Sequence, residues 1–263
     1  MGVIQLSKHK VPSLRDSVSP EEWQTRVDLA ACYRLADHFN WTHMVFSHFS
    51  ARVPGEDGHF LLLPQGLVFT EITASNLLKV NLKGEIVGKS PYTLAKPAFV
   101  IHSAIYHAPR KDIQAAIHTH TIAGMALSAL ECGLLPLTQG AIKLCHKTGY
   151  HDYEGHAVEL EERERIARNL GNGNMALILR NHGLLTVGRT VSEAFYYMFH
   201  LEKSAAAQLA AMACNTPLRI PPKSVVDHAA EQSETMGITG NRGDEIWPGM
   251  VRLIEDKDPS FRD

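Results

Sequence analysis

A short run of apolar residues, Met175 to Leu179, constrains the fold of this chain more than any other feature. The run has the length of a strand and no polar member, which is typical of a strand buried on both faces of a sheet. It is followed directly by Arg180-Asn181-His182-Gly183. We therefore predict a central strand that places His182 at its end, in a turn closed by Gly183.

A second stretch, Ile117-His118-Thr119-His120, follows a predicted strand from Gln114 to His118. Because side chains alternate along a strand, His118 and His120 are expected on one face, with Thr119 on the other. Together with His182 they would supply three neutral nitrogen ligands and leave one position open. That pattern is typical of a catalytic rather than a structural divalent metal site.

The histidine content of the chain limits what this spacing can prove. The sequence has 15 His in 263 residues, so chance alone predicts roughly one His-x-His pair, and one is found. Solvated or core histidines are the alternative interpretation. The metal site therefore has to be supported by its structural context.

Composition excludes several function classes. The formal net charge is -2 and the isoelectric point is about 6.7, which gives no support for nucleic-acid or membrane-surface binding. The N-terminus shows no signal peptide and no membrane span. The cysteines form no CxxC pair, which favours a reducing compartment and a cytoplasmic protein; they are Cys32, Cys132, Cys145 and Cys214.

The chain is long enough for one large core, and we divide it into three parts. Residues 1–18 are predicted to be an N-terminal arm, residues 19–215 one domain, and residues 216–263 a tail that packs on the domain or on a neighbouring subunit. Ser19 is predicted to cap the first helix. Residues 134–158 are expected to be irregular, and the prolines from Pro217 onward to end regular structure. Further predicted elements are a hairpin over 45–63, helices over 97–106, 123–130, 160–170 and 194–212, and a strand over 79–82.

Several motifs, in this order along the chain, resemble those of the class II aldolase/adducin family. They are His102-Ser103-Ala104-Ile105-Tyr106, Ile117-His118-Thr119-His120-Thr121, Gly133-Leu134-Leu135-Pro136, Tyr150-His151-Asp152-Tyr153-Glu154-Gly155 and Leu179-Arg180-Asn181-His182-Gly183-Leu184. The resemblance covers about residues 20–215. It implies an α/β fold, a three-layer αβα arrangement with a mostly antiparallel central sheet. It also implies a homotetramer with active sites between subunits, and a metal bound by His118, His120 and His182.

Two segments depart from the sugar-phosphate aldolases of that family. Their Gly-Asn-x-Ser segment reads Ser47-His48-Phe49-Ser50 here, and their Ser-Ser-Glu segment reads Lys96-Pro97-Ala98. Alanine cannot move a proton, so the sequence argues against aldol cleavage of the fuculose-phosphate type. The residue pattern is nearest to the adducin head and to bacterial proteins like it, which also lack the glutamate. Glu71 could replace that acid only if its loop folded inward.

The resemblance leaves two functions open. The first is a divalent-metal-dependent lyase of the aldolase or decarboxylase type, with zinc favoured and manganese or iron as alternatives. It would act on a small hydroxy- or keto-acid, or on a sugar-derived substrate, through an enolate, and decarboxylation would be the reaction least impaired by Ala98. The second is a non-catalytic, adducin-like oligomeric binding module. Candidate catalytic residues are His102 as a proton relay, Lys96 and Arg180 for a substrate carboxylate, and Tyr153, which could reach an adjacent subunit's site.

Overall fold

The computed structural model describes residues 11–157, 159–235 and 240–263. Its strands are β1 (His48–Arg52), β2 (His59–Leu62), β3 (Leu78–Asn81), β4 (Ala115–Thr119), β5 (Thr148–His151), β6 (Ala176–Leu179) and β7 (Gly183–Gly188). Its α-helices are α1 (Pro20–His38), α2 (Lys96–His107), α3 (Ile122–Ser128), α4 (Gln139–Cys145), α5 (Glu162–Leu170), α6 (Val191–Ala213), α7 (Lys223–Thr235) and α8 (Trp247–Glu255). Short 3₁₀ helices cover Arg15–Ser17, Phe69–Glu71 and Pro259–Arg262.

The seven strands form one sheet in the order β3-β2-β1-β4-β7-β6-β5. β5 and β6 pair in parallel, and the other neighbouring pairs are antiparallel. Helices α2 and α5 cover one face, whereas α1 and α6 cover the other. The predicted three-layer αβα fold with a mostly antiparallel sheet is therefore confirmed.

The first helix illustrates how the sequence specifies this packing. Its N-cap is Ser19, as predicted, and the serine hydroxyl accepts a hydrogen bond from the Glu22 amide at 3.1 Å. Tyr33 of this helix faces the sheet. Its hydroxyl donates to the Phe49 carbonyl (2.6 Å) and accepts from the Phe49 amide (2.7 Å). A buried tyrosine thus has its polar atom satisfied and its ring packed on Phe49.

The prediction that residues 134–158 are irregular is wrong, because this stretch contains α4 and β5. α4 begins after Thr138, whose hydroxyl accepts from the Ala141 amide at 3.1 Å. Gly149 lies inside β5, and a Cβ there would come within 2.3 Å of the Asn169 carbonyl oxygen. This glycine permits a close approach of two backbone segments rather than ending the strand.

The prolines after Pro217 also do not end regular structure, since α7 and α8 follow them. Pro222 lies just before α7, where a missing amide hydrogen costs nothing. Within the domain's helical layer, the Trp247 indole donates to Asp28 at 2.9 Å and Arg34 donates to Asp258 at 2.6 Å. Within residues 216–263, α8 and the last 3₁₀ helix therefore contact α1, whereas α7 packs on α4.

Near the N-terminus, the Leu14 amide donates to the Ser75 hydroxyl at 3.2 Å. Residues 1–10 of the predicted arm lie outside the described residues. In the part of the chain that the structure describes, no helix is both long and apolar enough to cross a membrane.

Candidate metal site

Three strands bring the predicted ligands together. His118 lies near the carboxyl end of β4, His120 directly follows that strand, and His182 lies in the tight turn between β6 and β7. Asn181 has a φ of 55°, a conformation that asparagine tolerates better than most residues. A Cβ on Gly183 would stand 2.4 Å from the Thr119 carbonyl oxygen, so only glycine lets the turn approach β4 closely.

The three imidazole rings each place a nitrogen atom close to a common point. The candidate ligand atoms of His118, His120 and His182 lie within 4.8 Å of one another. The Nε2 atoms of His120 and His182 are 2.9 Å apart, and the ring centroids are separated by 4.4 to 4.8 Å. Two like nitrogens facing each other at this distance need either a shared proton or a cation between them.

The hydrogen bonding of His118 fixes which of its nitrogens can bind a metal. Its Nδ1 lies 2.8 Å from the Leu184 carbonyl oxygen, and a carbonyl only accepts, so Nδ1 carries the hydrogen. Nε2 then carries a lone pair. It is buried and has no hydrogen-bond partner among the residues that the structure describes. A backbone carbonyl that orients an imidazole in this way is the usual outer partner of a metal-binding histidine.

Electrostatics keeps all three rings neutral. Burial, then the neighbouring His120, His48 and His182, hold the pKa of His118 well below its usual range. Burial and His182 lower the pKa of His120 to about 3, and burial and His156 lower that of His182 to about 4. Because a metal binds the neutral imidazole, the rings need lose no proton near pH 7.

The opposite side of β4 is held by a buried carboxylate from α6. Glu202 accepts a hydrogen bond from the Thr119 hydroxyl and another from the Thr121 hydroxyl, each at 2.6 Å. Glu202 is 6% exposed, and burial raises its pKa despite these two donors. The two threonines flank His120 in sequence, so this interaction fixes the backbone that carries it.

The three histidines lie beside a cleft of about 560 Å³. His120 and His182 line it, together with Lys96, Pro97 and Ala98 at the amino end of α2. No aspartate or glutamate lines this cleft in the described part of the chain. The other lining residues are His43, Val45, Phe46, His48, Leu63, Gln65, Gly66, Ala95, Ile101, Met125, Tyr153, Gly155, His156, Ala157 and Asn181.

Comparison with known proteins agrees with this geometry. The family model described as the class II aldolase and adducin N-terminal domain matches residues 27–209. The chain belongs to the class II aldolase and adducin family. A crystal structure of an aldolase II superfamily protein from Pseudomonas syringae superposes with a TM-score of 0.90 at 45% identity, covering 96% of this chain and 100% of that one.

Two further proteins that are similar to this chain carry different names. An L-fuculose 1-phosphate aldolase from Glaciozyma antarctica PI12 superposes with a TM-score of 0.80 at 28% identity, covering 92% of this chain and 93% of that one. Alpha-adducin of Rattus norvegicus is 47% identical over 190 residues, which are 72% of this chain and 26% of that protein. The family therefore includes both a named aldolase and a much longer protein.

Within this family member, the other predicted site residues have different positions. Lys96 is exposed in the cleft wall, and Tyr153 is 51% exposed at the same cleft. Arg180 does not line this cleft. Its guanidinium donates to the Leu130 carbonyl at 2.6 Å and lies 4.6 Å from the centre of the Tyr150 ring. These contacts hold the segment that follows α3, and Arg180 also lines a smaller cavity with His182 and Tyr153, so its role in carboxylate binding stays a prediction.

His102 and Glu71 also lie away from the cleft. His102 is fully buried beneath β1, where Nδ1 lies 2.5 Å from the Ser50 hydroxyl and Nε2 lies 2.9 Å from Nδ1 of His48. Glu71 accepts from the Val68 amide at 3.2 Å and lines a different cavity, so its loop does not supply the missing acid.

His48 is the site residue that the sequence analysis missed. It pairs directly with His118 across β1 and β4, and their ring centroids lie 4.8 Å apart. A signal was present, because His48 and Ser50 alternate with Phe49 as polar members of one strand face. The register that sets this face against His118 could not be read from the sequence.

Proposed function

We propose that this chain is a divalent-metal-dependent carbon–carbon lyase that uses His118, His120 and His182 as its metal ligands. The observation that carries the proposal is the convergence of three neutral rings, with His118 Nε2 buried and unpartnered. Zinc fits best, because catalytic zinc sites combine three protein ligands with one open position. Manganese or iron remain alternatives for the same ligands. Family membership and the aldolase name of a structural neighbour support the lyase class.

The substrate that suits this cleft is a small hydroxy- or keto-acid, or a sugar-derived molecule. A bound divalent ion would supply Lewis acidity to its carbonyl and adjacent oxygen, which stabilises an enolate. Lys96 and the amino end of α2 give one wall of the cleft a positive potential, which favours an anionic group. The cleft also has an apolar lining that includes Val45, Phe46 and Ala98, and such a lining favours the carbon skeleton of the substrate.

The missing carboxylate restricts the reaction type. Ala98 is 1% exposed and lines the cleft where the sugar-phosphate aldolases carry a glutamate. A reaction that begins with proton removal by that group is therefore disfavoured. Loss of carbon dioxide needs no base to start it, so we propose decarboxylation as the lyase reaction that suits this cleft best.

We further propose that the protein assembles as a homotetramer with its clefts at subunit interfaces. Large apolar side chains are exposed around or close to the cleft, and such patches are typical of interaction surfaces; they are Met44 (72%), Phe46 (54%), Ile122 (84%) and Tyr153 (51%). In such an assembly Tyr153 would face a neighbouring subunit. Sedimentation equilibrium measures the mass directly.

The test of the catalytic proposal is metal binding followed by turnover. Wild-type protein is expected to bind one zinc ion per chain, and His118→Ala to lose at least about a hundredfold in affinity, since one of three ligands is removed. His200→Ala is the control: His200 is a half-buried histidine on α6 that lies outside the ligand cluster, and its pKa is also lowered by burial, to about 4. A panel of keto acids then tests carbon dioxide release. Protein that stays metal-free after incubation with each candidate ion would refute the proposal.

The second candidate function is a non-catalytic, adducin-like binding module. The identity to alpha-adducin and the absence of a carboxylate from the described cleft lining favour it. A metal-bound protein that turns over no substrate in the panel would support this candidate. Metal-dependent turnover that His182→Ala abolishes would exclude it.

A further inference from the structure

Four buried polar side chains form a continuous hydrogen-bonded chain that ends at the cleft. The Tyr106 hydroxyl lies 2.8 Å from the Ser50 hydroxyl, which lies 2.5 Å from Nδ1 of His102. Nε2 of His102 lies 2.9 Å from Nδ1 of His48. Ser50 and His102 are fully buried, whereas His48 lines the cleft next to His118.

A backbone carbonyl gives this chain its direction. Nε2 of His102 is also 3.1 Å from the carbonyl oxygen of His48, and this oxygen can only accept, so Nε2 carries a hydrogen. Burial lowers the pKa of His102 to about 3, so the ring is neutral and its Nδ1 bears a lone pair. The Ser50 hydroxyl must then donate to Nδ1, and the Tyr106 hydroxyl must donate to Ser50.

The same reasoning fixes the tautomer of His48. The Nε2–H of His102 is directed to both the carbonyl oxygen and Nδ1 of His48, so Nδ1 of His48 is an acceptor. A neutral ring with a bare Nδ1 carries its hydrogen on Nε2, which is the nitrogen that remains for the cleft.

We propose that Nε2–H of His48 is a hydrogen-bond donor to a carboxylate or carbonyl oxygen of the substrate, and that Tyr106, Ser50 and His102 are positioning residues that hold it in this tautomer. The proposal rests on the proposed function, because the substrate oxygen must lie beside the three metal ligands. At this point of the cleft the protein thus offers a hydrogen-bond donor, the Nε2–H of His48, to a substrate oxyanion. The described lining does not offer a carboxylate that could act as a base. A charged acceptor makes such a hydrogen bond stronger than a neutral one.

The tautomer is tested first, in the metal-free protein, by nitrogen NMR of histidine rings labelled with ¹⁵N. We expect His48 and His102 both to be protonated on Nε2 and bare on Nδ1. Ser50→Ala removes the donor to His102 and should populate its Nδ1–H form. Ser103→Ala is the control, since Ser103 is a buried serine on α2, next to His102, whose hydroxyl donates to the Val100 carbonyl instead. A wild-type His48 protonated on Nδ1 would overturn the proposal.

The donor role is tested by ligand binding to the cobalt(II)-loaded protein, with oxalate as the probe and the visible absorption of the metal as the signal. His48→Phe should weaken oxalate binding about tenfold, the typical effect of losing a hydrogen bond to a charged group. His48→Gln, whose amide can donate from the position of Nε2, should restore most of the affinity. Cobalt affinity should be equal in all three proteins.

The outcomes separate this inference from the proposed function. Equal oxalate affinity in wild type and His48→Phe would overturn the donor role and leave the metal site intact. A loss of cobalt affinity in His48→Phe that matches the loss of oxalate affinity would also overturn it, since His48 would then act on the ligands. Wild-type protein that binds cobalt but no oxalate would instead count against an open metal position, and thus against the proposed function.

Discussion

The two sides of β4 carry buried polar groups that differ in whether their hydrogen bonds are satisfied. On the α6 side, the hydroxyls of Thr119 and Thr121 both donate to Glu202. On the α2 side, His118 donates from Nδ1 to a carbonyl, but its Nε2 has no partner in the described structure. A saturated cluster on one side and an unsaturated one on the other indicate different uses for the same strand.

The energetic difference explains why this comparison is informative. A buried polar atom left without a partner costs about 1–3 kcal/mol, and the rest of the fold has to offset that cost. Unsatisfied buried groups are rare and usually indicate a catalytic role or the binding of an ion or water. The histidine side therefore fits a ligand site, whereas the Glu202 side fits a support that holds the ligands in place.

Among the residues that support the ligands, the largest effect on zinc affinity is expected from Glu202→Ala. Without the carboxylate, Thr119 and Thr121 lose their acceptor and the backbone of His120 becomes less restricted. Loss of an outer partner typically lowers metal affinity 10- to 100-fold, and we expect about that reduction in zinc affinity. Competition with a fluorescent zinc chelator measures it.

Glu193→Ala is the control for that prediction. Glu193 lies on the same helix, is fully buried, and accepts from the Arg189 amide at 2.7 Å, but it contacts neither threonine. Both variants should lower the free energy of unfolding, and only Glu202→Ala should lower zinc affinity. Equal zinc affinities in the two variants would show that the α6 side does not support the ligands.

The sequence predicted the elements of this site better than their mutual arrangement. Local patterns identified the first helix, the strand that carries His118 and the turn that carries His182, because alternation and capping act within a few residues. The pairing of His48 with His118 depends on the register of two strands that are about seventy residues apart, which no local pattern specifies.

The missed elements have a similar cause. β5 is a four-residue strand that is defined by its parallel pairing with β6, and Gly149 in it resembles a turn residue until the Asn169 carbonyl is seen beside it. The charge of Arg180 is visible in the sequence, but its position beside the Leu130 carbonyl and the Tyr150 ring is not. Tertiary contacts decided these cases, and they are not encoded locally.

A pH titration sharpens the comparison on the histidine side. His102 has its pKa lowered to about 3 by burial, whereas a histidine in the unfolded chain titrates near 6.5. Between these values the unfolded chain binds a proton that the folded protein excludes, so stability falls as the pH decreases from about 6.5 to about 3. The slope from this one group is at most about 1.4 kcal/mol per pH unit, and no effect is expected above about pH 7.

His102→Gln removes this titration. Urea unfolding of the metal-free proteins should show wild type more stable at about pH 7, because the glutamine cannot reproduce both hydrogen bonds of the ring. The difference in the free energy of unfolding should shrink at about pH 5, because only the wild type is destabilised there by keeping the imidazole neutral. A difference that stays constant between these two pH values would mean that His102 is not held neutral by burial.

The smallest effect on zinc affinity is expected from a substitution of Trp247, which lies on α8 and contacts α1 and α6. Its indole donates to Asp28 and packs edge-to-face on Phe195, with ring centroids 5.6 Å apart. Trp247→Phe keeps an aromatic ring and removes the donor, so the free energy of unfolding should fall by about 1–2 kcal/mol. Zinc affinity should stay within about twofold of wild type, because α8 contacts α1 and not the strands that carry the ligands. Chemical denaturation and zinc competition on the same preparation measure both quantities. A large change in zinc affinity would show that α8 is coupled to the metal ligands. The support of the ligand side of β4 would then reach beyond Glu202 and the two threonines that contact it.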